Sequence, residues 1–180
     1  MKRLTMLALF GAAVLCTPAK AQVMTFDMSK VTCGEYSALD PDTSADFSAW
    51  MSGFFNQRAG STSINVDGYR KNVANVQSWC ASNPKANLMA GLQTAVANAK
   101  PGVDGPAEIN VGQIACGDFL KADVDTQTLV ASWTGGWFMS TKGLTTVDPR
   151  YVKRNSKVIA NYCNKHKKEK LMSAIKKNWK

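Results

Sequence analysis

The residues of this sequence best suited to covalent or metal chemistry are its cysteines, of which there are five. Four of them form two pairs with the same spacing, since 47 positions separate Cys33 from Cys80 and Cys116 from Cys163. Zinc sites commonly combine closely spaced cysteines with histidines. This chain has no Cys-x-x-Cys pair, and its single histidine, His166, lies in a lysine-rich run. We therefore predict no metal site and no cofactor.

The start of the chain has the pattern of a secretory signal peptide. Basic residues within 1–3 precede an apolar run over 4–15 and a small-x-small cleavage site at 19–21. We predict that residues 1–21 are removed and that the mature protein is periplasmic. Cys16 is removed with them. The four cysteines that remain are an even number in an exported protein, which predicts disulfides.

The equal cysteine spacing indicates an internal duplication. A shift of 83 positions, the separation of Cys33 from Cys116, aligns both cysteine pairs without a gap. The same shift aligns Gly34 with Gly117, Asp40 with Asp123, Asp42 with Asp125, Trp50 with Trp133, Gly53 with Gly136 and Phe55 with Phe138. Four cysteines allow three pairings, and the duplication favours one disulfide within each copy, Cys33–Cys80 and Cys116–Cys163.

Both copies carry the motif W-x-x-G-aromatic-F, which reads WMSGFF in the first copy and WTGGWF in the second. Glycine inside a helix costs about 1 kcal/mol relative to alanine, so the shared glycine needs a structural reason. We expect Gly53 and Gly136 to allow another backbone to approach closely. The expected neighbour is the disulfide-bearing helix of the same copy. Gly135 is matched by Ser52 and is incidental to the motif.

The apolar pattern of each copy is helical. In the first copy, a turn or short helix after Cys33 leads to a capped helix through Phe47 and Phe55 and then to a helix over about 66–82, and Pro84 starts a last helix. We predict an all-α fold of two tandem small disulfide-bridged modules with about four helices each. The modules span 22–98 and 109–180, and a Pro- and Gly-rich linker spans 99–108. Within each module, the predicted disulfide closes a loop of 47 residues. Closing a loop of that length contributes about 4 kcal/mol to stability in the chain-entropy model.

Two copies with this order of motifs resemble the HdeA/HdeB family of periplasmic acid-stress chaperones. The resemblance rests on VTCGEYSALD, AWMSGFF, NVANVQSWCASNP and LMAGL in the first copy, and on IACGDFLKAD, SWTGGWF, KVIANYCNKH and LMSAI in the second. The best-known members are single modules that dimerise, whereas this chain carries two. Its copies would therefore pack on each other, or the protein would self-associate.

The resemblance implies an ATP-independent holdase, which opens when its carboxylates are protonated and then binds acid-unfolded periplasmic clients. The client-binding surface would come from the aromatic residues of both motifs: Trp50, Phe54, Phe55, Trp133, Trp137 and Phe138. The pH sensors would be aspartates near helix starts: Asp40, Asp42, Asp46, Asp123 and Asp125. The same aspartates also fit a plain helix-capping role.

The formal charge of +9 is concentrated in the last part of the chain. Residues 22–100 carry six basic and six acidic residues, whereas residues 101–180 carry thirteen basic and seven acidic ones. An exported protein does not ordinarily meet cytoplasmic DNA, so we expect no nucleic acid partner. The basic end would contact anionic envelope lipids weakly, keep bound clients soluble, or form a solvated face of the last helix.

The sequence offers no enzymatic machinery. It has no G-x-S-x-G motif, no glycine-rich phosphate loop and no nucleophile with a partner base. We therefore predict a binding protein and not an enzyme. The alternative to a chaperone is a periplasmic inhibitor or immunity-type protein that recognises one specific partner.

Overall fold

The computed structural model describes residues 25–97 and 108–178. The predicted signal peptide, and all of the predicted linker except Glu108, lie outside these residues. The helices of the first copy are α1 (Cys33–Ser37), α2 (Pro41–Arg58), α3 (Val66–Ser82) and α4 (Leu88–Ala97). Those of the second copy are α5 (Cys116–Lys121), α6 (Val124–Thr141), α7 (Pro149–Lys165) and α8 (Leu171–Asn178). The prediction of an all-α fold with two disulfide-bridged modules is confirmed.

Aspartates fix the starts of the long second helix in both copies. Asp40 precedes α2, and its Oδ1 accepts a hydrogen bond from the backbone N–H of Thr43 at 3.0 Å. Asp123 precedes α6 and accepts from the backbone N–H of Thr126 at 2.8 Å. Each carboxylate satisfies an N–H that has no partner within its helix.

The last helix of the first copy begins at Leu88 and not at Pro84, so this predicted helix start is wrong. Pro84 lies in the turn after α3, where its carbonyl oxygen accepts a hydrogen bond from the backbone N–H of Gly34 at 2.8 Å. Asn87 starts the helix, because its side-chain oxygen accepts from the backbone N–H of Ala90 at 3.0 Å. The turn containing the proline thus connects α1 to the end of α3.

A disulfide joins the first and third helices of each copy. Cys33 in α1 is bonded to Cys80 in α3, and Cys116 in α5 is bonded to Cys163 in α7, with a Cα–Cα distance of 4.8 Å in both pairs. All four cysteines are buried, and each disulfide lies in a separate apolar cluster. Each copy therefore has a core of its own around its disulfide.

Four short strands, absent from the predictions, join the two copies: β1 (Phe26–Asp27), β2 (Ser63–Asn65), β3 (Glu108–Asn110) and β4 (Thr146–Val147). Strand β1 pairs antiparallel with β4, and β2 pairs antiparallel with β3. Because the duplication relates β1 to β3 and β2 to β4, each sheet contains one strand from each copy. Ile64 of β2 is buried in the core of the second copy, and Val147 of β4 in the core of the first. Each copy thus completes the core of the other.

Candidate functional site

The two aromatic motifs meet where α2 packs against α6. A Cβ atom on Gly53 would overlap the carbonyl oxygen of Trp133 and lie 2.7 Å from its carbonyl carbon. A Cβ atom on Gly136 would meet the carbonyl group of Trp50 in the same way and at the same distance. Only glycine fits at both positions, because the neighbouring atoms are backbone and cannot rotate away. The reciprocity is that of a two-fold contact.

The helix that approaches these glycines differs from the predicted one. The prediction is the disulfide-bearing helix of the same copy, which is α3 for Gly53 and α7 for Gly136. This prediction is wrong, because the approaching backbone belongs to the equivalent helix of the other copy. Helical periodicity marks the face of a helix that is covered, but it does not identify the helix that covers it. The shared motif therefore builds the interface between the copies.

The six aromatic residues predicted to bind clients all lie on α2 and α6. Trp50, Phe54 and Trp133 are buried, and Phe55, Trp137 and Phe138 are half-buried. The rings of Trp50 and Phe54 stack at a centroid distance of 5.1 Å, and the guanidinium of Arg58 lies 4.5 Å above the ring of Phe54. Trp50 and Phe54 lie in the core of the first copy and Trp133 lies in that of the second, so most of this aromatic surface is covered in the folded protein.

Three side-chain hydrogen bonds cross between the copies beside the glycines. Ser132 Oγ donates to Asp46 Oδ1 at 2.7 Å, Ser140 Oγ donates to Gln57 Oε1 at 2.9 Å, and Trp137 Nε1 donates to the carbonyl oxygen of Ser61 at 3.0 Å. Ser132 is buried, and the carboxylate makes its hydrogen bond a charge-assisted one. Of the five aspartates predicted to sense pH, Asp46 therefore takes part directly in the contact between the copies.

Asp40 and Asp123 occupy the helix-capping positions described above. Hydrogen bonds from the backbone and side chain of Thr43 hold the pKa of Asp40 below its usual value, and those from Thr126 do the same for Asp123. Both carboxyl groups are exposed. Capping and pH sensing are therefore not alternatives for these two residues, since a capping carboxylate is stabilised in its ionised form.

Asp42 and Asp125 lie in the first turns of α2 and α6, where both are exposed. A negative charge at this end of a helix interacts favourably with the helix dipole, and salt screens the interaction. These two residues therefore support their helices from the surface, whereas Asp46 makes its contact inside the interface.

A further carboxylate, not among the predicted sites, also joins the two copies. Asp27 in β1 accepts hydrogen bonds from Ser29 Oγ at 2.6 Å and, across the copies, from Thr145 Oγ1 at 2.9 Å, and it pairs with Lys30 at 3.0 Å. The hydrogen bonds from Ser29, Lys30 and Thr145 hold the pKa of Asp27 far below its usual value. The second copy has Asn110 at the equivalent position, so comparison of the copies does not single out Asp27. Asp27 is singled out instead by the pairing of β1 with β4, which brings Thr145 next to it.

The basic end of the chain forms α7, α8 and the turn between them. Residues 149–178 contain ten lysines and arginines and a single acid, Glu169, whereas the equivalent residues 66–95 contain three basic residues and one acidic residue. Glu169 pairs with Lys177 at 2.6 Å and accepts a hydrogen bond from the hydroxyl of Tyr162 at 2.8 Å. These contacts, that of Lys177 first, lower the pKa of Glu169. The second copy thus presents a strongly cationic face that the first copy lacks.

The described residues offer no constellation for metal chemistry. Over residues 25–97 and 108–178, no group of three or more histidine, cysteine, aspartate and glutamate side chains could hold a metal ion. In the same part of the chain, no helix combines the length and apolar character needed to cross a membrane.

These features define a protein of two tandem, disulfide-bridged helical modules that pack on each other through equivalent helices. The family model described as HdeA/HdeB family matches the chain twice, over residues 3–90 and 88–173. The chain therefore belongs to the HdeA/HdeB family. At the level of the family, this membership indicates a periplasmic acid-stress chaperone rather than an enzyme. No curated protein and no solved structure matches the chain.

Proposed function

We propose that this protein is a periplasmic, ATP-independent holdase that binds acid-unfolded client proteins and catalyses no reaction. The observation that carries the proposal is the contact between α2 and α6, the two helices that carry the aromatic motifs, whose aromatic side chains are buried or half-buried in the folded protein. A holdase needs an apolar surface that is covered when no clients are present and is uncovered under stress. The aromatic side chains of α2 and α6 would meet this requirement if acid loosened the contact between the two helices.

Acid would loosen the interface through its carboxylates. The pKa of Asp27 is depressed in the folded protein, so its contribution to stability is present above the unfolded-state pKa, near 3.8. This contribution decreases as the pH falls below that value and is lost once the pH passes the folded-state pKa. Asp40 and Asp123, with depressed pKa values of their own, lose their contributions in the same direction. Protonation of Asp46 would remove the charge that strengthens its hydrogen bond with Ser132.

The disulfides would limit how far each copy opens. They are covalent and do not titrate, so α1 stays joined to α3, and α5 to α7, at every pH below neutrality. Separation of the copies would also withdraw Ile64 and Val147 from the cores that they complete. The acid form would therefore be compact but loosely packed, with exposed apolar surface, as in a molten globule.

The cationic face supplies a second part of the proposal. Protonation of the carboxylates leaves a strongly positive chain, which resists its own aggregation and that of bound clients. We also infer that this face contacts anionic envelope lipids weakly. Lys165, Lys167 and Lys168 are all exposed in and beside the turn after α7, and the first copy has Ser82 and Pro84 in place of the first two.

The test of the chaperone assignment is an aggregation assay with two unrelated clients that unfold in acid. The mature protein with intact disulfides would be mixed with each client, and light scattering and apolar-dye binding would be followed from about pH 7 to about pH 2. We expect dye binding to rise below about pH 4 and client scattering to fall in the same range. Clients that aggregate equally fast with and without the protein would overturn the assignment. Binding of one folded partner near neutral pH would then support the inhibitor alternative.

A further inference from the structure

The first copy contains a pocket between α2, α3 and α4 with a volume of about 300 Å³. Its buried floor is formed by Met51 from α2 and Val76 from α3. Phe55 from α2 and Leu92 from α4, both half-buried, form apolar walls. Pockets for small molecules have this character, since they are concave, mainly apolar and at least this large.

The same place in the second copy is nearly filled. There the cavity has a volume of about 10 Å³, room for about one water molecule. Helix α7 approaches α6 over several residues, whereas α3 and α2 hardly approach each other. Tyr69 lines the pocket of the first copy, and its equivalent Val152 lines the small cavity of the second. The pocket is therefore a feature of the first copy and not a general consequence of the fold.

The polar groups that line the pocket are uncharged. Tyr69 and Asn72 from α3 are half-buried in its wall, and neither side chain makes a hydrogen bond with the described residues. Burial, with smaller effects of Tyr36 and Asp46, raises the pKa of Tyr69 to about 12. The hydroxyl therefore stays protonated and can donate a hydrogen bond. A polar group on a ligand in this pocket could therefore hydrogen-bond with both side chains.

The size of the pocket limits the size of its ligand. A dry apolar cavity of about 150 Å³ accommodates benzene, and this pocket has about twice that volume. Two fused aromatic rings, or an aliphatic body of similar bulk, would fill it. Among the described residues, no lysine, arginine, aspartate or glutamate lines the pocket, so a charged group on the ligand would be desolvated without a counter-ion.

We propose that the first copy binds one small, uncharged, largely apolar molecule with a single hydrogen-bonding group, held between α2, α3 and α4 in the folded protein at neutral pH. Tyr69 and Asn72 contact its polar group, and Met51, Phe55 and Leu92 contact its apolar body. This binding requires the native arrangement of α2, whereas client holding would require its rearrangement. The two activities are therefore separate.

The experiment uses 2-naphthol as the probe and the mature protein with both disulfides intact at pH 7. We expect isothermal titration calorimetry to show saturable binding of one molecule per chain. The matched charged probe, 2-naphthoate, should bind at least about tenfold more weakly because its carboxylate loses water without gaining a partner. Absence of saturable binding, two equal sites per chain, or equal affinity for both probes would overturn the proposal.

Two variants locate the bound probe. Val73→Phe fills the pocket from α3, where Val73 is half-buried, and we expect it to abolish binding. Tyr69→Phe keeps the ring but removes the hydroxyl, and we expect affinity to fall several-fold. A thermal melt of each variant shows whether it is folded. Unchanged 2-naphthol affinity in folded Val73→Phe would place the probe elsewhere and contradict the proposal, whatever the outcome of the client assay in acid.

Discussion

Ser140 Oγ donates a hydrogen bond to Gln57 Oε1 at 2.9 Å, and these two residues occupy equivalent positions in the two copies. Equivalent residues touch each other only where the two-fold axis that relates the copies passes close by. The reciprocal contacts of Gly53 and Gly136 lie one helical turn away along the same helices. A single chain thus makes within itself the symmetric contact that two separate chains would make in a dimer.

Gly53→Ala tests the close contact between α2 and α6. Alanine in place of glycine inside a helix ordinarily stabilises it by about 1 kcal/mol. Here the added methyl group would overlap the backbone of Trp133, so we expect destabilisation by about 2 kcal/mol or more. Gly136→Ala should have an equal effect because its contact with Trp50 is equivalent. Urea unfolding at pH 7 measures both values.

The control for both glycine variants is Ser52→Ala, one residue before Gly53 on the same helix. Ser52 is half-buried, and its side chain makes no hydrogen bond with the described residues. The free energy of unfolding of the Ser52→Ala protein should therefore differ from that of wild type by no more than about 0.5 kcal/mol. A Gly53→Ala protein more stable than wild type would show that the two backbones are not in close contact.

Most features set by local sequence could be predicted, with the helix start at Pro84 as an exception, whereas features set by contacts between the copies could not. Asp40 and Asp123 lie next to the helices that they start, so the starts of α2 and α6 follow from the sequence. The neighbour of Gly53 is the backbone of Trp133, in the other copy, and nothing near Gly53 in the sequence specifies it. The duplication predicts two similar helices but not that they pack on each other.

The same limit explains the missed strands and the missed carboxylate. Strand β1 is two residues long and has no alternating apolar pattern, so only its partner β4 makes it a strand. Asp27 gains its importance from this pairing, because Thr145 on the other copy donates a hydrogen bond to it. A search for residues shared by both copies passes over such a site, since Asn110 has replaced the acid.

Asp27→Asn should weaken the protein in a pH-dependent way. At pH 7 the wild-type carboxylate is ionised and hydrogen-bonded, so we expect a lower melting temperature in the variant. As the pH falls from about 4 to about 2, the wild type loses this advantage and the difference should shrink. Melting curves across this range test the effect. Ser37→Ala, an exposed substitution in α1 that changes no titratable group, is the control and should leave the pH dependence unchanged. A difference that grows in acid would contradict the assigned role of Asp27.

Asp40 allows capping and pH sensing to be separated. Asp40→Ala removes the acceptor for the N–H of Thr43, so we expect lower stability at pH 7. Asp40→Asn keeps an acceptor oxygen but cannot titrate, so it should be more stable than Asp40→Ala at every pH. Because the wild-type pKa is depressed, wild type should lose stability relative to Asp40→Asn as the pH falls below about 4. Equal melting temperatures for the two variants would show that the cap contributes nothing.

The cationic face should bind anionic membranes in a salt-dependent way. We expect the mature protein to sediment with vesicles containing phosphatidylglycerol and not with purely zwitterionic vesicles, and we expect about 0.5 M salt to release it. Neutralising Lys165, Lys167 and Lys168 together should reduce binding by more than half. The matched control is Lys85→Ala, which removes the equivalent of Lys168 from the first copy. Equal losses in the two proteins would show that the α7–α8 turn is not the contact surface.

A covalent lock between the copies tests whether client binding requires their separation. Gln57 and Ser140 face each other across α2 and α6, so we choose these two positions for cysteines that would join the helices. We expect the oxidised double variant, Gln57→Cys with Ser140→Cys, to keep its aromatic surface covered at about pH 2, because α2 cannot leave α6. It should therefore bind little apolar dye and fail to suppress client aggregation.

Gln57→Ala with Ser140→Ala removes the same hydrogen bond without a lock and should open at a pH equal to or higher than that of wild type. Peptide mapping would verify that Cys33–Cys80 and Cys116–Cys163 persist beside the new bond. If the locked protein protects clients as well as wild type does, the client-binding surface is not the one between α2 and α6.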